Sequence, residues 1–167
     1  SRQDMNQKTY QVFYVPLDSN GASIKPAAAP AGAQGWLPTG LQFAKGSILL
    51  SWTQTTRNQI AFAVIDSSSF AVIHGPTELT TPDGRSGDSV SVVKNKNGVA
   101  VLSWIDVELN HQLYYALVDP SGAIVTPPVI FFQVESPSAI TVNDGGYALA
   151  PYDGNQLIGI PYVIRSK

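Results

Sequence analysis

Apolar residues along this chain alternate with polar ones or run in short stretches rich in Val, Ile, Tyr and Phe. Gly, Pro, Asn, Asp and Ser punctuate the stretches. Alternation with period two turns successive side chains to opposite faces, the mark of a half-buried strand. A helix would need apolar residues at spacings of three and four, and no window sustains that stripe over three turns. The pattern predicts an all-β chain.

The stretches also repeat. Gly98-Val99-Ala100-Val101-Leu102-Ser103-Trp104 reads against Gly46-Ser47-Ile48-Leu49-Leu50-Ser51-Trp52. Gln112-Leu113-Tyr114-Tyr115-Ala116-Leu117-Val118-Asp119 reads against Gln59-Ile60-Ala61-Phe62-Ala63-Val64-Ile65-Asp66 and against Gln11-Val12-Phe13-Tyr14-Val15-Pro16-Leu17-Asp18. The repeat resolves into four strand types. The first is expected over residues 41–44, 89–93 and 138–142. Turns at Lys45-Gly46, Asn97-Gly98 and Gly145-Gly146 follow, with residues that tolerate positive φ. The second covers 47–53, 99–105 and 147–152, and polar loops then end at Asn58, Asn110 and Asn155. The third covers 60–65, 113–118 and 157–163, with 12–17 as an extra copy. The fourth covers 70–75 and 123–132, with a weak copy at 23–25. Asp18, Asp66 and Asp119 close the third strand each time, where an Asx turn is expected rather than metal ligation.

Several short strands per unit, repeated at roughly 40–50 residues, mark propeller-type arrays. A single unit cannot bury its own apolar faces, so neighbours must stack. The expected fold is all-β: propeller-type repeats of four-stranded antiparallel blades, about three in this chain, whereas closed propellers hold about four to eight. A tail is expected over 1–9 and a partial blade of third and fourth strands, with a Pro/Ala-rich loop, over 10–40. Blades follow over 41–82 and 83–137, and a partial blade of first to third strands over 138–167.

Composition narrows the class. A length of 167 residues fits one domain, and 44% hydrophobic residues exclude a disordered segment. Charged residues make up only 13%, against about 25% in ordinary soluble domains. Ser, Thr, Asn, Gln and Gly must therefore cover the surface, as in many secreted and cell-surface β-proteins. The net charge of −2 leaves no electrostatic footprint for nucleic acid. With no cysteine, disulfides, thiolate catalysis and Cys-based zinc sites are excluded. No apolar run is long enough to span a bilayer. The chain starts at Ser1 without a signal peptide and reads as a processed product, a domain or a fragment.

Leu102-Ser103-Trp104, the run from Gln112 to Gly122, and Thr126-Pro127-Pro128 resemble the β-propeller-like repeats of large secreted or surface-anchored bacterial and archaeal proteins. That family pairs a Trp-ended strand and a polar loop with a Tyr-rich strand and an Asp-x-x-Gly turn. The resemblance covers residues 10–164 and implies adhesion, scaffolding or glycan binding. The chain lacks the Trp-Asp pair of WD40 repeats, the sialidase Ser-x-Asp-x-Gly-x-Thr-Trp box and an integrin-type calcium loop. Sialidase chemistry and WD40-type hub roles are not carried over.

Trp52 and Trp104 end matching strands, with Tyr152 at the third position. Packing between blades explains them better than sugar stacking, because packing demands repetition. Trp36 lies in Gly35-Trp36-Leu37-Pro38, read as a loop that could expose a binding hot spot. Loops carrying Arg57, Arg85, Asp88, Glu108 and His111 are expected to share one face with Trp36, the candidate ligand-binding set. His74 and His111 sit on different strand types, so no metal site or cofactor is expected. There is no Gly-x-Ser-x-Gly elbow. A hydrolase or lyase would have to draw two carboxylates from Asp88, Asp106, Glu108 and Asp153.

The leading functional expectation is a non-enzymatic extracellular or cell-surface module for adhesion or self-assembly into a ring or filament. Val12, Phe13, Tyr14, Val15, Leu157, Ile158, Ile160 and Tyr162 are its candidate assembly residues, since unpaired terminal strands template strand addition. Expected partners are copies of itself or the rest of a longer parent chain, with a surface glycan or protein as a further partner. Nucleic acid and membrane insertion are not expected. A glycan-binding lectin is the first alternative, and a glycoside hydrolase or lyase fragment the second.

Overall fold

The computed structural model describes residues 10–55, 59–84, 87–94, 97–106, 112–133, 136–143, 146–152 and 162–165. Among them there are eleven strands and no helix. The first sheet is β1 (Gly35–Gln42), β2 (Ser47–Gln54), β3 (Ile60–Asp66) and β4 (Val72–Leu79). The second is β5 (Gly87–Lys94), β6 (Ala100–Asp106), β7 (Gln112–Val118) and β8 (Ile124–Gln133). A three-stranded sheet holds β9 (Ser136–Asn143), β10 (Gly146–Tyr152) and β11 (Tyr162–Arg165). Each sheet is antiparallel and ordered as in the sequence.

The repeat survives in the hydrogen-bond register. Gly35 pairs with Gln54 and Trp36 with Thr53; Gly87 pairs with Asp106 and Asp88 with Ile105. Both ladders then slip by a β-bulge before resuming at Thr39↔Ser51 and Ser91↔Ser103. The turns behave as their residues require: Gly46 and Gly98 sit at φ 82° and 83°, where only glycine is unstrained.

Alternation decides which face meets which neighbour. Leu49, Ile60, Phe62 and Val64 of the first sheet bury against Ala100, Leu102, Trp104, Tyr114 and Ala116 of the second. Trp104 stacks on Tyr114, its cross-strand partner, with ring centroids 6.0 Å apart. The Tyr114 hydroxyl lies 2.9 Å from an Asp83 carboxylate oxygen. The opposite face of the first sheet carries Leu50, Trp52, Ala61 and Ala63, which bury against Val12, Ala33 and Tyr14. Both indoles are fully buried, and removing either is expected to cost about 3–5 kcal/mol. The first strands are neighbours in chain order: β5 touches β1 and β2, and β9 touches β5 and β6.

Several expectations need correction. The first strand of the first sheet runs Gly35–Gln42 rather than 41–44, so the expected boundary after residue 40 falls inside it. Trp36 is therefore a half-buried strand residue, not the tip of a loop. Pro38 misled the reading; it falls in the bulge between Trp36 and Thr39, where no ladder donor is needed. Residues 12–17 and 23–25 form isolated bridges, Gln11↔Gln34, Tyr14↔Ala28 and Leu17↔Ser23, rather than continuous strands. Pro16, Pro26 and Pro30 withhold the N–H groups that a longer ladder would need. The all-β expectation holds, but in place of about three blades the described residues form two four-stranded sheets and a three-stranded one, the N-terminal part forms only isolated bridges, and no closed ring is formed among them.

Candidate functional site: an uncovered repeat face

Residues 10–34 lie across the outer face of the first sheet. Their inner residues alternate with outer ones. Val12 is buried and Tyr14 and Pro16 are half-buried, whereas Phe13, Val15 and Leu17 are 55%, 44% and 56% exposed. Ile24 extends this apolar stripe.

The repeat gives the stripe its meaning. Phe13, Val15 and Leu17 align with Ala61, Ala63 and Ile65 of β3 and with Tyr114, Ala116 and Val118 of β7. All six of those residues are buried. Ala61 and Ala63 are covered by residues of the N-terminal segment, and Tyr114, Ala116 and Val118 by the first sheet. These register positions are thus where a unit contacts its predecessor. Only in the N-terminal copy are they uncovered among the described residues.

A groove of about 330 Å³ runs beside the stripe, floored by Ile48, Leu50 and Ile65 and walled by Tyr14, Leu17 and Phe70. The floor residues align with Ala100, Leu102 and Val118, which are buried in the cluster that Phe43 and Leu49 complete. Phe43 and Leu49 belong to the hairpin of first- and second-type strands. The N-terminal segment supplies only the third and fourth types. The groove is the seat that such a hairpin fills between the two full sheets.

The groove wall is clasped in place. The Tyr14 hydroxyl donates to the Phe70 carbonyl, and the two rings lie 5.6 Å apart. Burial raises the Tyr14 pKa above its ordinary value. Lys25 holds its ammonium 4.9 Å above the Phe70 ring. Phe70 itself has φ 62°, a left-handed conformation that costs a side-chain-bearing residue about 1–2 kcal/mol.

The aspartate turns form as expected. The Asp66 carboxylate accepts from the Ser68 and Ser69 amides at 2.9 and 2.7 Å, and from both hydroxyls. Asp119 accepts from the Ser121 hydroxyl and amide and from the Ala123 amide. Asp18 accepts from the Asn20 and Ala22 amides. Hydrogen bonds to the charged form, led by the serine hydroxyls, hold the Asp66 and Asp119 carboxyls below the usual carboxylate range. No group of three or more His, Cys, Asp or Glu gathers for a metal among the described residues.

The candidate ligand face is only partly represented. Arg57, Arg85, Glu108 and His111 lie outside the described residues, as do Leu157, Ile158 and Ile160. Asp88 occupies the register position in β5 that Trp36 occupies in β1, and Tyr162 opens β11. A second groove, about 420 Å³, lies between the two full sheets at Lys45, Lys94 and Pro120. Its Lys94 ammonium donates to the Gln42 and Phe43 carbonyls and so ties the sheets together. Leu17, Ile24 and Phe70 were not singled out by sequence. Aligning the three copies of the third strand position by position would have found Leu17. No protein-family model, curated protein or solved structure matches this chain.

Proposed function

We propose that this chain is a non-enzymatic propeller-type repeat module that acts by assembling with further repeat units. One observation carries the reading: Phe13, Val15 and Leu17 are exposed at register positions that are buried under a preceding unit in both full sheets. An apolar face of this kind marks an interaction surface. An interface with unlike halves, head against tail, runs on as a filament or closes as a ring. The low charge content and the absence of cysteine favour a secreted or cell-surface setting, where such an assembly would serve adhesion or scaffolding.

The test is the mass of the purified chain by light scattering, with electron microscopy of the same sample. A ring or fibre is expected. Removing residues 1–24 takes away the stripe and should reduce the particle to a monomer. A full-length chain that stays monomeric at high concentration would count against the proposal.

A further inference from the structure

We infer that the groove between the two full sheets is a binding site for a sugar acid, whose carboxylate is taken by Lys45 and Lys94. The site lies within one copy of the chain and does not depend on self-assembly.

The groove carries positive charge that nothing beside it neutralises. Lys45 reaches it from the turn between β1 and β2, and Lys94 from the last position of β5. An ammonium group has three donors and no acceptor. Half-buried Lys94 gives donors to the Gln42 and Phe43 carbonyls and keeps one, whereas Lys45 is exposed. Neither lysine is ion-paired among the described residues. The two turns that border the groove each contain an aspartate: the Ser67 amide donates to the Gly46 carbonyl, and Pro120 is part of the groove wall. Both carboxylates are turned inward, Asp66 onto the Ser68 and Ser69 amides and Asp119 onto the Ser121 and Ala123 amides. No acidic residue is among the described residues that line the groove. A concave wall of one charge sign focuses its field on an incoming counter-ion.

The charge belongs to this joint and not to the fold. Contacts that stack one unit on the next recur from joint to joint. Gly46 aligns with Gly98, which puts Asn97 at the place of Lys45. Gln42↔Ile48, Lys94↔Ala100 and Thr141↔Ala148 are equivalent pairs, which puts Thr141 at the place of Lys94. The joint between the second sheet and the three-stranded sheet therefore has two neutral residues at the register positions where this one has two cations. Stacking the sheets does not call for the lysines.

The shape and the remaining wall select the ligand. A volume of about 420 Å³ falls in the range of small-ligand clefts. A lysine ammonium acts as a point charge, and one free donor on Lys94 beside Lys45 suits a singly charged group. A carboxylate is such a group at neutral pH. Gln42 and Asn97 bring amides, which both donate to and accept from hydroxyl groups. The Pro120 ring adds an apolar patch for the C–H face of a sugar. Gly98 keeps that patch open: it sits at φ 83°, and a Cβ there would stand 3.1 Å from Pro120 Cγ.

Ligand-observed saturation-transfer NMR tests the site on the whole chain, monomeric or assembled, with glucuronate as the probe. Saturable transfer to glucuronate is expected, and none to glucuronamide, which has the same ring without the charge. Lys45→Gln should weaken binding about tenfold, the loss of one charge-assisted hydrogen bond, and Lys45→Arg should retain it. Lys45 is exposed on a turn, so this pair reads the site without threatening the fold. Lys94→Gln should weaken binding too, with circular dichroism to confirm that the sheets remain. Equal transfer to glucuronamide, or unchanged affinity in Lys45→Gln, overturns the proposal. Acetate or inorganic phosphate that displaces glucuronate at equal concentration overturns the sugar acid as the ligand. Absence of transfer to glucuronate at millimolar concentration overturns the site.

Discussion

Gly35 and Gly87 open the first strand of each full sheet, and each lies under the tryptophan of its neighbouring strand. A Cβ built on Gly35 would stand 2.0 Å from the Thr53 carbonyl oxygen and 2.6 Å from Trp52 Cδ1. One built on Gly87 would stand 2.3 Å from Trp104 Cδ1 and 2.8 Å from its Nε1. Neither neighbour can yield cheaply. Both indoles are fully buried, and the Thr53 carbonyl belongs to the β1–β2 ladder. Overpacking a filled core costs about 1–3 kcal/mol and sometimes more. Gly35→Ala sits at the upper end, because backbone as well as side chain must move. Gly40→Ala is the control: its nearest neighbours are Leu50 Cδ1 at 3.7 Å and Leu49 O at 3.8 Å, ordinary contacts. It should change stability by less than about 0.5 kcal/mol. Urea unfolding followed by tryptophan fluorescence measures all three variants. If Gly35→Ala and Gly87→Ala unfold at the wild-type midpoint with an unchanged slope, the indoles do not occupy these seats. The packing equivalence of the two sheets would then fail.

Four further outcomes are expected. Ser51 and Ser103 are equivalent residues whose buried hydroxyls have no hydrogen-bond partner among the described residues, so Ser51→Ala and Ser103→Ala should be neutral or stabilising by about 1 kcal/mol in urea melts; a loss of that size would show that the hydroxyls are bonded. Because the folded Asp119 pKa is depressed, its contribution is present above the unfolded carboxylate value of about 3.9 and is lost as pH falls through the folded value. Asp119→Asn should therefore lower the urea midpoint at pH 7 and converge on wild type in acid, whereas a gap independent of pH would exclude the charge as its source. Phe13→Ser should leave the urea midpoint of the dissociated chain within about 0.5 kcal/mol of wild type while weakening association by light scattering. Tyr14→Phe removes the hydroxyl bonded to the Phe70 carbonyl and should cost about 1 kcal/mol, with a larger loss of protection at Phe70 than at Leu102 in hydrogen exchange.

Much of the strand pattern was legible because two signals coincided. The segments around Trp52 and Trp104 alternate with period two, and the Gly46 and Gly98 turns accept the left-handed backbone they adopt. The Asp66 and Asp119 turns were legible for the same reason: a short side chain that hydrogen-bonds its own backbone acts within a few residues. β1 was misread because Gly, Leu and Pro around Trp36 look like a loop one residue at a time. Only the match of Gly35 with Gly87, each closed over by an indole, reveals a strand that bulges rather than ends.

The candidate site lies one level further from local sequence. Nothing within residues 12–17 says whether its outer face is covered, because Phe13, Val15 and Leu17 would look the same in a buried strand. The information lies in the difference between copies. β3 carries Ala61 and Ala63 at these positions because Trp52 and the Tyr14 ring lie across that face and leave room for methyl groups alone. β7 carries Tyr114 because its cross-strand partner Trp104 offers a flat ring to stack on. Phe13 follows the second pattern but has no cross-strand ring in its own segment. A phenyl group left in water forgoes about 1.5–3 kcal/mol relative to burial, and Val15 and Leu17 add to that. On the assembly reading, the three residues are half of a contact between repeat units, and the other half belongs to the unit that would precede them.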